Sequence, residues 1–239
     1  MKRVFMFFAL VGAFVSSAIT ADACTNFIVT RGASTDGSNM VTYAADSHQL
    51  YGALYQYVPS KKFTPYVDIC EWDSGRPLGR IAQAQTTYRT LGNSNEHSLF
   101  ITETTFGGRP ELEDPKGGID YGSLIYITLQ RAKTAREAID IIVDLANTYG
   151  YCSSGESFSL IDQQEAWIME LIGKGPDDMG IVWVARRIPD GYVSAHANQA
   201  RITTFPWDDP ENCIYAPDVA DVARKFGWFE GEDKDFSFA

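Results

Sequence analysis

At 239 residues the chain is long enough for one large domain with a substantial core, and 45% hydrophobic with 21% charged residues is an ordinary globular balance. Thirty-one acidic against twenty basic residues leave a formal charge of −11, which argues against nucleic acid or an anionic membrane as partner. Solubility alone accounts for the excess acid, so the charge names no substrate.

The chain opens like an export signal. Lys2 and Arg3 form a basic start, residues 4–19 are almost wholly apolar, and Ala21-Asp22-Ala23 is an A-x-A cleavage site. The apolar run is short for a membrane span, and no later stretch is long and apolar enough for one. Cleavage after Ala23 leaves 216 residues beginning at Cys24, with a thiol and a free α-amine on one residue. The expected location is periplasmic or extracellular. A cysteine after a signal also fits a lipoprotein, whose acylated amine could not serve as a base; here Ala21 stands where such signals carry Leu, and Asp22 is an awkward charge.

Residues 25–30 read as a strand, Ser34-Thr35-Asp36-Gly37-Ser38 as a turn, and residues 40–45 as a returning strand that ends at Asp46. Residues 54–58 are a third strand candidate. Residues 61–80, with Pro65, Gly75, Pro77 and Gly79, read as irregular. A strand over 98–105 ends at Gly107-Gly108. Helical spacing follows over 121–133, and Thr134-Ala135-Arg136-Glu137 is a capping box opening a second helix that Asn147 and Gly150 close. Strands are expected at 157–162, 166–172, 181–187 and 193–198, and a last helix at 216–226. The alternating Phe236 and Phe238 read as a structured end. Strands, then two helices, then strands favour an α+β fold with largely antiparallel sheets, in one domain over residues 24–239.

Cys24, Cys70, Cys152 and Cys213 contain no C-x-x-C pair, which argues against a zinc ribbon. One bridge among the last three and three free thiols are both compatible with the sequence.

A leading cysteine carries its own chemistry. Its thiol, with a pKa of roughly 8.5, attacks as the thiolate, and its α-amine, near roughly 7.7–8.0, can take the thiol proton. The oxyanion formed on an attacked carbonyl needs donors. Asp46 is the candidate to orient an amine, and Asn198 in His196-Ala197-Asn198-Gln199-Ala200-Arg201 the candidate amide donor. A Cys/His pairing with His48 or His196 as base is the competing thiol-protease reading. It ranks lower, because a papain-like nucleophile opens a helix and Cys24 opens a strand.

Several of these segments occur together in a known family. Cys24-Thr25-Asn26-Phe27, the run 33–38, Ala45-Asp46-Ser47, Asn95-Glu96-His97, the run 103–109, the run 153–157 and the run 195–201 resemble the C69 dipeptidases from Cys24 to the last residue. The resemblance implies an N-terminal nucleophile hydrolase of four layers, αββα, that cleaves dipeptides through an acyl-enzyme on the Cys24 sulfur, with no metal or organic cofactor. It also implies a longer chain than this one, so that the domain is incomplete at its C-terminus. In the wider superfamily, which includes bile salt hydrolases and penicillin V acylases, a leading Cys is joined by an Arg three residues before an Asp, two Asn positions and a later Arg. Cys24, Asp46 and Asn198 match that pattern. Tyr43 stands at the Arg position and Thr105 at the first Asn position, where its hydroxyl or backbone N–H would serve; the later Arg would fall beyond Ala239. The expected partner is a small peptide, and assembly into a homo-oligomer stays open. An amidase of the bile salt hydrolase or penicillin acylase type, and a non-catalytic surface lipoprotein, remain the alternatives.

Overall fold

A computed structural model describes residues 24–46 and 55–239. The export signal, Ser47, His48 and the first residue of the expected strand at 54–58 lie outside the described residues. The strands are β1 (Thr25–Val29), β2 (Met40–Ala44), β3 (Gln56–Tyr57), β4 (Tyr66–Cys70), β5 (Pro77–Ala82), β6 (Thr90–Leu91), β7 (Ser94–Asn95) and β8 (Phe100–Gly107). Then come β9 (Gly155–Ile161), β10 (Ala166–Gly173), β11 (Ile181–Arg187), β12 (Val193–His196) and β13 (Cys213–Tyr215). The helices are α1 (Tyr121–Leu129), α2 (Ala135–Tyr149) and α3 (Val219–Lys225).

The fold is α+β with antiparallel sheets, compatible with a sandwich. Eight strands run in the order β13-β11-β10-β9-β8-β7-β6-β3, and a separate three-stranded sheet runs β12-β1-β2. Alternation along β8, β9 and β10 gives the large sheet two different faces. One carries Ile101, Leu160, Phe158, Trp167, Met169 and Leu171, all buried, and receives α2, whose Arg136 guanidinium lies 4.6 Å over the Trp167 ring. The other carries Thr102, Thr104, Ser157, Ser159 and Glu170, and meets the small sheet: Ser159 Oγ lies 3.4 Å from both Asn26 Nδ2 and His196 Nε2.

Helix α2 follows from its sequence. Thr134 caps it by accepting from the Glu137 backbone N–H, while the Glu137 carboxylate accepts from Lys133 N at 2.7 Å, one residue earlier than a strict capping box would place it. Ala138, Ile139, Ile142 and Leu145 form its buried face, and each large aliphatic side chain contributes about 2 kcal/mol by leaving water. Gly150, at φ 78°, closes it.

Three sequence expectations change. Residues 61–80 hold a hairpin, β4 with β5, where Val67 and Ile69 turn inward and Gly75, at φ 70°, permits the turn. Helix α1 stops at Leu129 rather than Lys133, because Gln130 begins a tighter turn with Arg131 and Ala132 bonded back to Thr128 O. The last helix starts at Val219, past Pro217. The terminal aromatic segment is structured, with Phe236 buried edge-on against Phe205 and Phe229. All four cysteines are free thiols. Among the described residues no helix is long and apolar enough to cross a membrane.

Candidate active site

Cys24 is placed by register. In the small sheet Thr25 pairs with Ala44 and Asn26 pairs with His196, so extending the ladders by one step on one flank and two on the other leads from Cys24 to Ala45 and to Asn198. The expected hairpin therefore does return Asp46 to the cysteine. The Asp46 main chain and the Asn198 side-chain amide both favour the Cys24 thiolate.

The small sheet is fixed to the large one by two asparagines. Beyond Phe100, strand β8 pairs with β9 on one side and has no ladder partner among the described strands on the other. Its carbonyls there would be orphaned. Asn26 Nδ2, from a fully buried side chain, donates to Glu103 O at 3.1 Å, and Asn198 Nδ2 donates to Thr105 O at 2.7 Å. The Thr105 carbonyl therefore fixes the Asn198 amide at the end of the ladder that carries Cys24. The Thr105 hydroxyl points elsewhere, donating to Glu156 Oε1 at 2.7 Å.

Two carboxyls stand beside this arrangement. Thr105 of β8 pairs with Glu156 of β9, so Glu103 and Glu156 are diagonal neighbours on one face of the sheet. Glu103 Oε1 accepts from the Tyr43 hydroxyl at 2.6 Å. Both side chains are buried, and Oε2 of each lacks a donor among the described residues. Burial pushes both carboxyls above the usual range, most strongly Glu156, which Glu103 raises further. Like charges on neighbouring buried carboxyls oppose one another, which adds to the tendency of the pair to hold protons.

The thiol has its own balance of causes. The Cys24 thiol is pushed up, first by burial, then by the Glu103 carboxyl and to a lesser extent by Glu156; the Asp46 and Asn198 hydrogen bonds oppose this in part. The Tyr43 hydroxyl is raised by burial and by Glu103, and so stays a donor. On the far side of the pair, Tyr121 at the start of α1 donates to Asp73 Oδ1 at 3.1 Å and is likewise raised by burial and by Asp73.

Neither described histidine is a base for the thiol. His196 is buried between Ser159 and Asn26, and burial, with some help from Arg201, lowers it to about 4. It is neutral near neutrality and a weak base. His97 packs edge-on against Tyr88 and donates its backbone N–H to Asn95 Oδ1; His48 lies outside the described residues.

Beyond Asn198 the chain is pinned by Glu170 of β10. Its carboxylate accepts from Arg201 N at 2.6 Å, Ile202 N at 3.0 Å and Ser157 Oγ at 3.2 Å. The Arg201 side chain bonds Ala195 O, outside the sulfur's surroundings. A cavity of 510 Å³ lies between β10, β11 and the C-terminal aromatics, lined by Ile172, Val182, Trp228 and Phe236 among others; Cys24 and Asn198 do not line it. Among the described residues no group of His, Cys, Asp and Glu is arranged to hold a metal ion.

Sequence reasoning named Cys24, Asp46, Asn198 and Thr105; the β1–β2 register leads from Cys24 toward Asp46, and Asn198 bonds the Thr105 carbonyl rather than its hydroxyl. It missed Asn26, Glu103, Glu156 and Glu170. The available signal was polar residues at inward positions of otherwise apolar strands.

The family model for peptidase family C69 matches residues 55–239. Among curated proteins, the chain is 27% identical over 225 residues to dipeptidase A of Lactobacillus helveticus, covering 85% of this chain and 46% of that protein. It is 24% identical over 222 residues to a probable dipeptidase of Latilactobacillus sakei, covering 84% and 44%. A probable dipeptidase of Salmonella dublin is 25% identical over 235 residues, covering 90% and 52%. The chain spans about half the length of the curated relatives it matches.

Proposed function

The chain belongs to peptidase family C69, and from that premise we propose that it is the catalytic part of an exported dipeptidase of the N-terminal nucleophile type. The observation that carries this reading is the position of Cys24 at the open end of β1, where the ladders lead to Ala45-Asp46 on one side and to Asn198, held by the Thr105 carbonyl, on the other. Removal of the segment before Cys24 frees its α-amine. His196 is buried and its ring held neutral, so in this reading the base is that amine rather than His196. It takes the thiol proton as the sulfur adds to the dipeptide carbonyl. Asn198 stabilises the oxyanion, the amine returns the proton to the departing amino acid, and water then hydrolyses the thioester. Thr105 acts through its carbonyl, which fixes Asn198, and through its hydroxyl on Glu156. The four-layer αββα arrangement, export, and a periplasmic or extracellular location belong to the same reading. Two antiparallel sheets in contact, with α1 and α2 over the outer face of the large one, support it.

The test is dipeptide turnover by the full processed protein. Cys24→Ala abolishes it, and Cys24→Ser, which keeps the amine, retains a reduced rate. Wild-type turnover in Cys24→Ala would overturn the assignment.

A further inference from the structure

Both chain segments joined by the Asn198–Thr105 hydrogen bond run on into the wall of the large cavity. Thr105 is followed by Phe106, Gly108 and Arg109, and Asn198 by Ala200, and all four of these line the 510 Å³ space. Consecutive α-carbons are about 3.8 Å apart, so the wall at Ala200 begins within about 8 Å of Asn198. An extended strand would part Thr105 from Arg109 by about 13 Å. A tight turn shortens that span: Gly107 and Gly108 sit at φ 76° and 83°, and Gly108 N donates to Phe106 O at 3.0 Å. The volume falls within the range of about 300–1,000 Å³ typical of small-ligand sites.

The cavity has an apolar floor and a polar rim. Ile172 and Val182, paired across β10 and β11, join Phe236 in the floor, and all three are buried. The Phe106 ring is seated on Gly155, where any Cβ would collide with it, so this wall is set before a ligand arrives. Arg109, Asp235 and Ser237 are exposed and form the rim. The Arg109 guanidinium lies over the Trp228 ring, 4.2 Å from its centre. A guanidinium stacked by its face keeps an N–H edge that fits a carboxylate. Among the described residues no ion pair engages Arg109 or Asp235. A fixed cation above an apolar floor matches an apolar residue that carries a free carboxylate. An acidic side chain is refused twice, by the floor and by Asp235.

We propose that this cavity is the subsite for the leaving residue of the dipeptide: its large apolar side chain enters the floor of Ile172, Val182 and Phe236, and its free C-terminal carboxylate meets Arg109. The inference rests on the dipeptidase reading above and names its substrate class, dipeptides whose C-terminal residue is large and apolar. Asn198 at the scissile carbonyl and Arg109 at the carboxylate then bracket the residue that departs.

The first test is binding without turnover. The full processed protein carrying Cys24→Ala is titrated calorimetrically with alanyl-phenylalanine, alanyl-glycine and alanyl-phenylalanine amide. Alanyl-phenylalanine is expected to bind at least tenfold more tightly than either of the others. Adding Arg109→Gln should weaken alanyl-phenylalanine at least tenfold and change the amide, which has no carboxylate, by less than twofold. Equal affinity for alanyl-phenylalanine and alanyl-glycine would overturn the proposal. So would an equal loss for acid and amide in Arg109→Gln, which is what a merely structural arginine gives. The second test is kinetic. Ala223→Phe fills the cavity from α3 and should lower kcat/KM for alanyl-phenylalanine at least tenfold more than for alanyl-glycine; an unchanged ratio would overturn the proposal. If the wild-type protein hydrolyses no dipeptide, the proposed function fails, and the titration still decides the subsite. Arg109 is exposed, so its variant decides if Ala223→Phe does not fold.

Discussion

Two buried carboxyl sites lie within the same three strands and are built in opposite ways. Glu170 is filled: two backbone N–H groups and a serine hydroxyl close its oxygens, as befits a residue whose task is to hold a loop. Glu103 and Glu156 are half filled, one donor each, and face one another. Burial raises all three, yet the backbone donors lower Glu170 again, while Glu156 is raised further by its neighbour. The lesson is that equally buried carboxyls differ in how far their oxygens are satisfied, and it is the count of donors that separates them.

The sharpest way to break that comparison is at Asn198, which joins the two sites. Asn198→Ala removes the amide that favours the thiolate and bonds Thr105 O, and is expected to cost about 10²–10³ in kcat but only about 1 kcal/mol in stability, read by dipeptide kinetics and urea unfolding. Glu170→Ala reverses the balance. It strands two backbone N–H groups and is expected to cost about 3 kcal/mol, a fall in the urea midpoint that neither Glu103→Gln nor Glu156→Gln should show.

His196 sharpens the comparison from the basic side. Its folded value near 4 lies below the ordinary 6.5, so between those values the unfolded chain binds a proton that the folded chain refuses. Stability contributed by the neutral ring is full above about pH 6.5 and is lost as pH falls through the window toward 4, by roughly 2–3 kcal/mol. The raised carboxyls slope the other way, losing stability as pH rises. His196→Gln should therefore flatten the acid limb relative to wild type in unfolding measured from pH 4 to 7. The smallest effect is expected at Thr105→Val, which leaves Glu156 Oε1 without its donor, at about 1 kcal/mol and a severalfold loss of rate.

Much of this was legible in the chain. The hairpin that carries Cys24 follows from a turn cluster between two apolar runs, and helix α2 from its Thr134 cap and spaced aliphatics. Cys24 and Asn198 were named from chemistry and resemblance, and the β1–β12 register explains why they meet across 174 positions of sequence. The β4–β5 hairpin was hidden because Pro77 and Gly79, read as breakers, sit on an edge strand that tolerates them. Glu103 and Glu156 were hidden because alternation assigns a strand residue to a face without saying what waits there. A lone glutamate among apolar neighbours is recognised as half of a pair only once β8 and β9 are aligned. Tyr43 was read against the superfamily's arginine, and its bond to Glu103 shows what a tyrosine can do there.

The most direct test of the account is the N-terminal residue of the protein that turns over dipeptides. Intact mass and N-terminal sequencing of the active, exported protein should find a chain that begins at Cys24 with a free amine. Full activity in a chain that keeps residues before Cys24, or whose Cys24 amine is acylated, would contradict the account, because the base it depends on would be absent.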